Sequence, residues 1–170
     1  MKFNINTKNK GFTLAEFLIV AAIMGALSTF MTITSTRATA SARATSIVRT
    51  LTNSKRALME WYADNPEDLY YNNKINGTNH LRSSNPDGSY LTETFSEVIN
   101  ADGKKTARIF IKYEAPEEKK FDRNVSKGLA SFAKSVGLYK TRENLSDENL
   151  ISGTEIQTPF YMFVQEIKVN

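Results

Sequence analysis

The feature that most constrains this chain is an unbroken apolar run, FTLAEFLIVAAIMGALSTFMTI from Phe12 to Ile33, 22 residues with Glu16 as their one charge. As a helix rising about 1.5 Å per residue it is roughly 30 Å long, the thickness of a bilayer's hydrocarbon core. The residues before it, MKFNINTKNKG, are polar and basic. A secretory signal has a shorter apolar region followed by a small-residue cleavage site. Ala38, Ala40, Ala42 and Ala44 offer such residues, but the run is too long, and a carboxylate so early in it is out of place. An ionised group deep in a membrane helix costs about 2.5–3.5 kcal/mol and is by default functional. Near the end of the span, snorkelling lowers that cost.

Composition matters chiefly through its distribution. With 24% charged and 41% hydrophobic residues the chain is that of a folded protein, and 170 residues suffice for one domain plus a long extra element. The net charge of +4 suggests an anionic partner. Removal of residues 1–11, however, takes Lys2, Lys8 and Lys10 with it and leaves 19 basic residues against 18 acidic ones. No nucleic-acid partner is expected. The absence of cysteine excludes disulfides, thiolate metal sites and cysteine nucleophiles.

Lys10-Gly11-Phe12-Thr13-Leu14-Ala15-Glu16-Phe17 resembles the class III signal of type IV prepilins and of type II secretion pseudopilins. The resemblance covers the basic leader, this octapeptide and the apolar run with its internal Gly25. It implies that a prepilin peptidase cuts between Gly11 and Phe12 on the cytoplasmic side and that the Phe12 amine is then methylated. It also implies that Glu16 of one subunit neutralises the Phe12 amine of its neighbour. The physical reasons are simple. Glycine lets a peptidase draw the backbone close. A new amine at the positive end of a helix needs a negative partner once buried. A heterologous contact repeated from subunit to subunit does not close, and so builds a helical filament. Other implied partners are pilin-like subunits, an inner-membrane platform protein, an assembly ATPase and membrane lipid. The expected location is the bacterial inner membrane, single-pass, with the C-terminal part extracytoplasmic, and then a pilus or pseudopilus. Two departures stand out. No proline occurs between Phe12 and Asn65, and Arg37, Arg43 and Arg49 follow the span with no acid between them, so charge does not settle orientation.

Beyond Ile33, Ala44, Ile47, Leu51, Leu58 and Tyr62 recur at spacings near 3.6 residues, with no proline or glycine from 34 to 64. The pattern predicts an amphipathic continuation of the helix over 34–65, ended by Pro66. Residues 67–94, with turn signals at Asn76-Gly77 and Pro86-Asp87-Gly88, read as an irregular connection. Thr92–Asn100 and Thr106–Glu114 flank Asp102-Gly103 as a hairpin, in which Ile109, Ile111 and Tyr113 alternate with Arg108, Lys112 and Glu114, and Phe110 interrupts the polar face. Asp122–Leu138 has helical periodicity, and Phe160–Val169 reads as a final strand. The expected organisation is a leader (1–11), a membrane or filament-core helix (12–33), its amphipathic continuation (34–65) and a β-rich domain (66–170). The fold class is α+β, and the resemblance makes it pilin-like: a long N-terminal helix packed on a small antiparallel sheet.

No enzyme constellation is present: His80 is the one histidine, and no phosphate loop, GxSxG or HExxH occurs. No cofactor is expected. Asp122, Asp147, Glu148 and Asn149 offer oxygens for calcium, without EF-hand spacing; their ordinary role is as solvated loop residues. Tyr70, Tyr71, Tyr90 and Tyr139 are scattered in the manner of core-finishing residues. The leading function is a structural subunit processed by prepilin peptidase and assembled into a type IV pilus or a type II secretion pseudopilus. The alternative is an uncleaved single-span protein with an extracytoplasmic binding domain.

Overall fold

The computed structural model describes residues 12–65, 70–71, 74–75, 82–84, 89–99, 105–115, 121–153 and 156–169. The element order is α1 (Leu14–Asp64), β1 (Tyr70–Tyr71), β2 (Lys74–Ile75), β3 (Arg82–Ser84), β4 (Tyr90–Ile99), β5 (Lys105–Glu114), α2 (Arg123–Val136), β6 (Leu138–Tyr139) and β7 (Phe160–Val169). The chain divides into two compact units, residues 1–38 and 39–170.

In the first unit the described residues form the N-terminal part of α1. Its large apolar side chains are exposed, among them Phe17, Leu18, Ile23, Leu27, Phe30 and Met31. It is long and apolar enough to cross a membrane. The hydroxyls in this stretch bond within their own helix. Thr29 Oγ1 donates to the Gly25 carbonyl, Thr32 to Ser28 and Thr34 to Phe30, each at 2.9 Å. Such local bonding removes the penalty of an unpaired polar group in an apolar surrounding.

The second unit has a core of its own. The rest of α1 buries Ala40, Ala44, Val48, Leu51, Leu58 and Tyr62, a stripe at spacings of three, four and seven. Ala44, Leu51, Leu58 and Tyr62 are the positions that periodicity marks; Ile47 is half-buried beside the core. The facing surface is one side of a five-stranded antiparallel sheet, ordered β3-β4-β5-β7-β6. β5 supplies Ile109, Ile111 and Tyr113 to it, and β7 supplies Phe160, Met162 and Val164. The hairpin expected from alternation is present as β4 and β5, paired from Tyr90 with Glu114 to Ile99 with Lys105; its turn lies outside the described residues. This is the α+β, pilin-like architecture of a long helix on a small antiparallel sheet.

The region read as an irregular connection differs. Among its described residues are β1 and β2, which pair with each other, and β3, which lies at the edge of the main sheet against Tyr90–Thr92. These strands have two or three residues, too few to establish a period of two.

The register between β5 and β7 shifts between Ile109 and Phe110: Ile109 pairs with Gln165, whereas Phe110 pairs with Phe163. The extra residue, Val164, makes a bulge. It lets Val164 face the core while Glu166 turns outward to meet Arg108 at 2.8 Å. Lys55 of α1 donates to the Phe163 carbonyl at 2.9 Å and lies 5.9 Å from the Phe163 ring centroid. Partial burial pushes the pKa of this ammonium down. In the core, the Tyr62 hydroxyl donates to the Glu93 carboxylate, tying α1 to β4.

α2 is defined by its ends. The Asp122 carboxylate accepts from the backbone N–H groups of Asn124 at 2.7 Å and Val125 at 2.9 Å, the preferred N-cap arrangement. Gly137 closes the helix at φ 73°, its N–H donating to the Ala133 carbonyl, a left-handed conformation natural to glycine. Gly128 serves close packing: a Cβ there would stand 2.7 Å from the Ala44 Cβ. Gly128→Ala therefore sets about 1 kcal/mol of improved helix propensity against an overpacking cost of about 1–3 kcal/mol. A net loss of stability is expected in the native background, and a gain once Ala44→Gly has removed the opposing methyl. Urea unfolding of the four members of this cycle measures the sign reversal; stabilisation by Gly128→Ala alone would contradict the close contact.

Candidate processing and assembly site

The site read from the sequence comprises Gly11, Phe12 and Glu16. Gly11 lies outside the described residues. Phe12 immediately precedes α1, and its side chain is 80% exposed. Glu16 stands in the first turn, where a carboxylate opposes the positive end of the helix dipole.

The local geometry brings in Thr13, a residue to which sequence reasoning assigned no role. Thr13 is the residue before the first helical one, and its carbonyl accepts the Phe17 N–H at 3.1 Å. The Thr13 hydroxyl accepts from the Glu16 N–H at 3.2 Å. Reciprocally, Glu16 Oε2 accepts from the Thr13 N–H and from the Thr13 hydroxyl, each at 2.8 Å. This is a capping box: the first and fourth residues each satisfy a backbone donor of the other. The signal was available, since threonine followed three residues later by glutamate at the edge of an apolar run is the capping-box pattern.

The chemical consequence concerns the carboxylate. Oε2 is occupied by two donors from Thr13, which fixes the orientation of the side chain. Oε1 has no hydrogen-bond partner among the described residues, so the group retains acceptor capacity for a cation. The arrangement holds a negative charge in the first turn of an exposed apolar helix, in a defined position relative to Phe12.

Of the four residues considered for calcium, Asp122 and Asp147 use side-chain oxygens elsewhere. The Asp122 side chain caps α2. Asp147 accepts from Lys134 at 2.9 Å, and that contact raises the pKa of the lysine. The Asn149 amide donates to Thr141 Oγ1 at 2.7 Å and to the Thr141 carbonyl at 3.2 Å. Among the described residues no group of three or more His, Cys, Asp or Glu is placed to hold a metal ion. His80 lies outside the described residues.

No curated protein and no solved structure matches this chain. The family model described as the prokaryotic N-terminal methylation motif matches residues 6–32, a stretch that takes in Gly11, Phe12, the capping box and most of the apolar helix. Over residues 6–32 the chain therefore carries the class III signal of type IV pilins and pseudopilins.

Proposed function

We propose that this chain is a prepilin-like structural subunit. Prepilin peptidase cuts it between Gly11 and Phe12, the Phe12 amine is methylated, and the product enters a type IV pilus or a type II secretion pseudopilus. The observation that carries the reading is the methylation motif over residues 6–32 followed by a helix whose apolar side chains are exposed. An exposed apolar surface of this size needs a bilayer or the helices of other subunits around it. Before assembly the subunit is held in the inner membrane by α1, with the sheet-bearing unit outside the cytoplasm. Platform protein and assembly ATPase supply the work of extraction. The subunit itself performs no catalysis.

In the filament, the Phe12 amine of one subunit approaches Glu16 of the next. The capping box supports this role, because it presents Glu16 with one oxygen tied and the other open.

The test is the intact mass of membrane-extracted protein from cells with and without an active prepilin peptidase. Loss of residues 1–11 in the peptidase-containing cells alone, with the mass of one added methyl group, is the expected result. An unchanged N-terminus in both, with the peptidase active on a control substrate, would overturn the reading in favour of an uncleaved single-span anchor.

A further inference from the structure

We infer that the sheet-bearing unit has a binding site for an acidic saccharide, one that carries uronic-acid carboxylates, in a cleft of about 750 Å³ on the face of the sheet opposite the helix. The size falls within the range of about 300–1,000 Å³ common for small-ligand sites. Its floor is made by Thr94 of β4, Lys112 of β5 and Tyr161 of β7. Lys112 and Tyr161 are direct cross-strand partners, and Thr94 is two residues along from Thr92, the β4 partner of Lys112. The walls come from the chain between β6 and β7, which returns over the sheet as residues 140–143 and again as 156–159.

The cleft carries more cations than acids. Lys112, Lys140 and Arg142 line it against a single acid among its described residues, Glu143. Lys112 is held by Glu114 at 2.8 Å. Lys140 is exposed, and its ammonium has no partner among the described residues. Arg142 is the most informative of the three. Its Nη1 donates to Thr94 Oγ1 at 2.7 Å and to the Phe95 carbonyl at 3.1 Å, so the guanidinium is anchored to β4 from the opposite wall. Nε and Nη2 have no partner among the described residues and remain for a ligand, on a group already held in position. A planar guanidinium fixed in this way suits bidentate pairing with a carboxylate, and little side-chain freedom is left to lose on binding.

The remaining lining argues for a sugar as carrier of that carboxylate. Thr141, Ser152, Gln157 and Thr158 add hydroxyl and amide groups. Tyr161 and Pro159 add flat apolar surface, and Ile151 and Ile156 add further apolar contact. The Tyr161 ring is itself set edge-on against Phe110, centroids 6.5 Å apart. Hydroxyls and amides matched to a hydroxylated ligand, a ring for its apolar face and cations for its acid together describe a uronate saccharide. A bare anion would use the cations alone.

The inference is independent of filament assembly, because the cleft lies within one unit of one chain. The full-length chain in uncharged detergent micelles is titrated calorimetrically with trimers of galacturonate, glucuronate and mannuronate, with the methyl esters of the same trimers, and with inorganic phosphate. At least one acidic trimer is expected to bind, with its ester and phosphate at least tenfold weaker. Lys140→Gln and Arg142→Gln are each expected to weaken the acidic trimer at least fivefold. Lys140→Gln breaks no contact among the described residues and leaves thermal unfolding unchanged, so its effect stands even where Arg142→Gln loosens the wall. Absence of binding by all three acidic trimers overturns the inference. So does equal binding of the ester, equal binding of phosphate, or native affinity in Lys140→Gln.

Discussion

Glu16→Ala is expected to abolish filament assembly while leaving the chain inserted in the membrane. Two effects combine in this variant. The carboxylate proposed to meet the Phe12 amine of the neighbouring subunit is gone, and so is the reciprocal partner of Thr13 in the capping box. Glu16→Gln separates them, because glutamine serves at the fourth position of a capping box but carries no charge. If charge neutralisation is what assembly requires, both variants fail to assemble normally, since a loss of roughly 1.4 kcal/mol per subunit contact raises the concentration needed for assembly about tenfold. If helix capping is what matters, Glu16→Gln assembles and Glu16→Ala does not. Shearing and quantifying surface filaments, with membrane fractionation of the same cells, measures both quantities. Normal yield from Glu16→Ala would remove the carboxylate from the assembly mechanism altogether.

The second large effect is expected from Phe110→Ala. Alternation along β5 puts residue 110 on the face away from the helix, beside Arg108 and Lys112, yet its side chain is fully buried. What buries it is an aromatic cluster on that outer face, with the Phe163 ring centroid 5.7 Å and the Tyr161 centroid 6.5 Å away, both edge-on. Truncating a buried phenylalanine costs about 3–5 kcal/mol, a large fraction of the roughly 5–15 kcal/mol that stabilises a domain. Urea unfolding of the full chain in micelles, followed by near-UV circular dichroism, reports on the sheet-bearing unit. A loss below about 1 kcal/mol would mean that the outer aromatic cluster contributes little. Phe110→Leu should fall between native and alanine.

These two residues also mark how far the fold and the candidate site were legible in the sequence. The second half of the long helix, β5 and α2 carry a period sustained over several turns or alternations, and such periods survive tertiary context; β7 was legible instead from its aromatic and β-branched composition. The burial of Ala44, Leu51, Leu58 and Tyr62 follows directly from the 3.6-residue stripe. Phe110 does not follow from any local pattern, because its burial depends on Tyr161 and Phe163, some fifty residues further along the chain and set in register by a bulge. β6, at two residues, is too short to carry a period and exists through its pairing with Met162 and Tyr161. Gly11, Phe12 and Glu16 were legible as a motif, but the part played by Thr13 became apparent with the hydrogen bonds. The cleft proposed to hold a saccharide was illegible for a different reason. Its floor and walls come from four separated stretches, each of ordinary surface composition, and their meeting is a product of sheet order.

The threonine hydroxyls of the apolar helix have a mechanical consequence. Thr29 Oγ1 donates to the Gly25 carbonyl, which is also the acceptor in that helical turn for the Thr29 backbone N–H; Thr32 and Thr34 repeat the arrangement on Ser28 and Phe30. A carbonyl with two donors is not orphaned when its backbone bond lengthens, so stretching such a turn costs less than stretching one with a single donor. Gly25 adds backbone freedom within the same segment. The same back-bonding recurs beyond this segment, at Thr45 on Ser41, Thr50 on Ser46 and Thr52 on Val48, so under axial tension a helix without proline yields by small extensions spread over many turns.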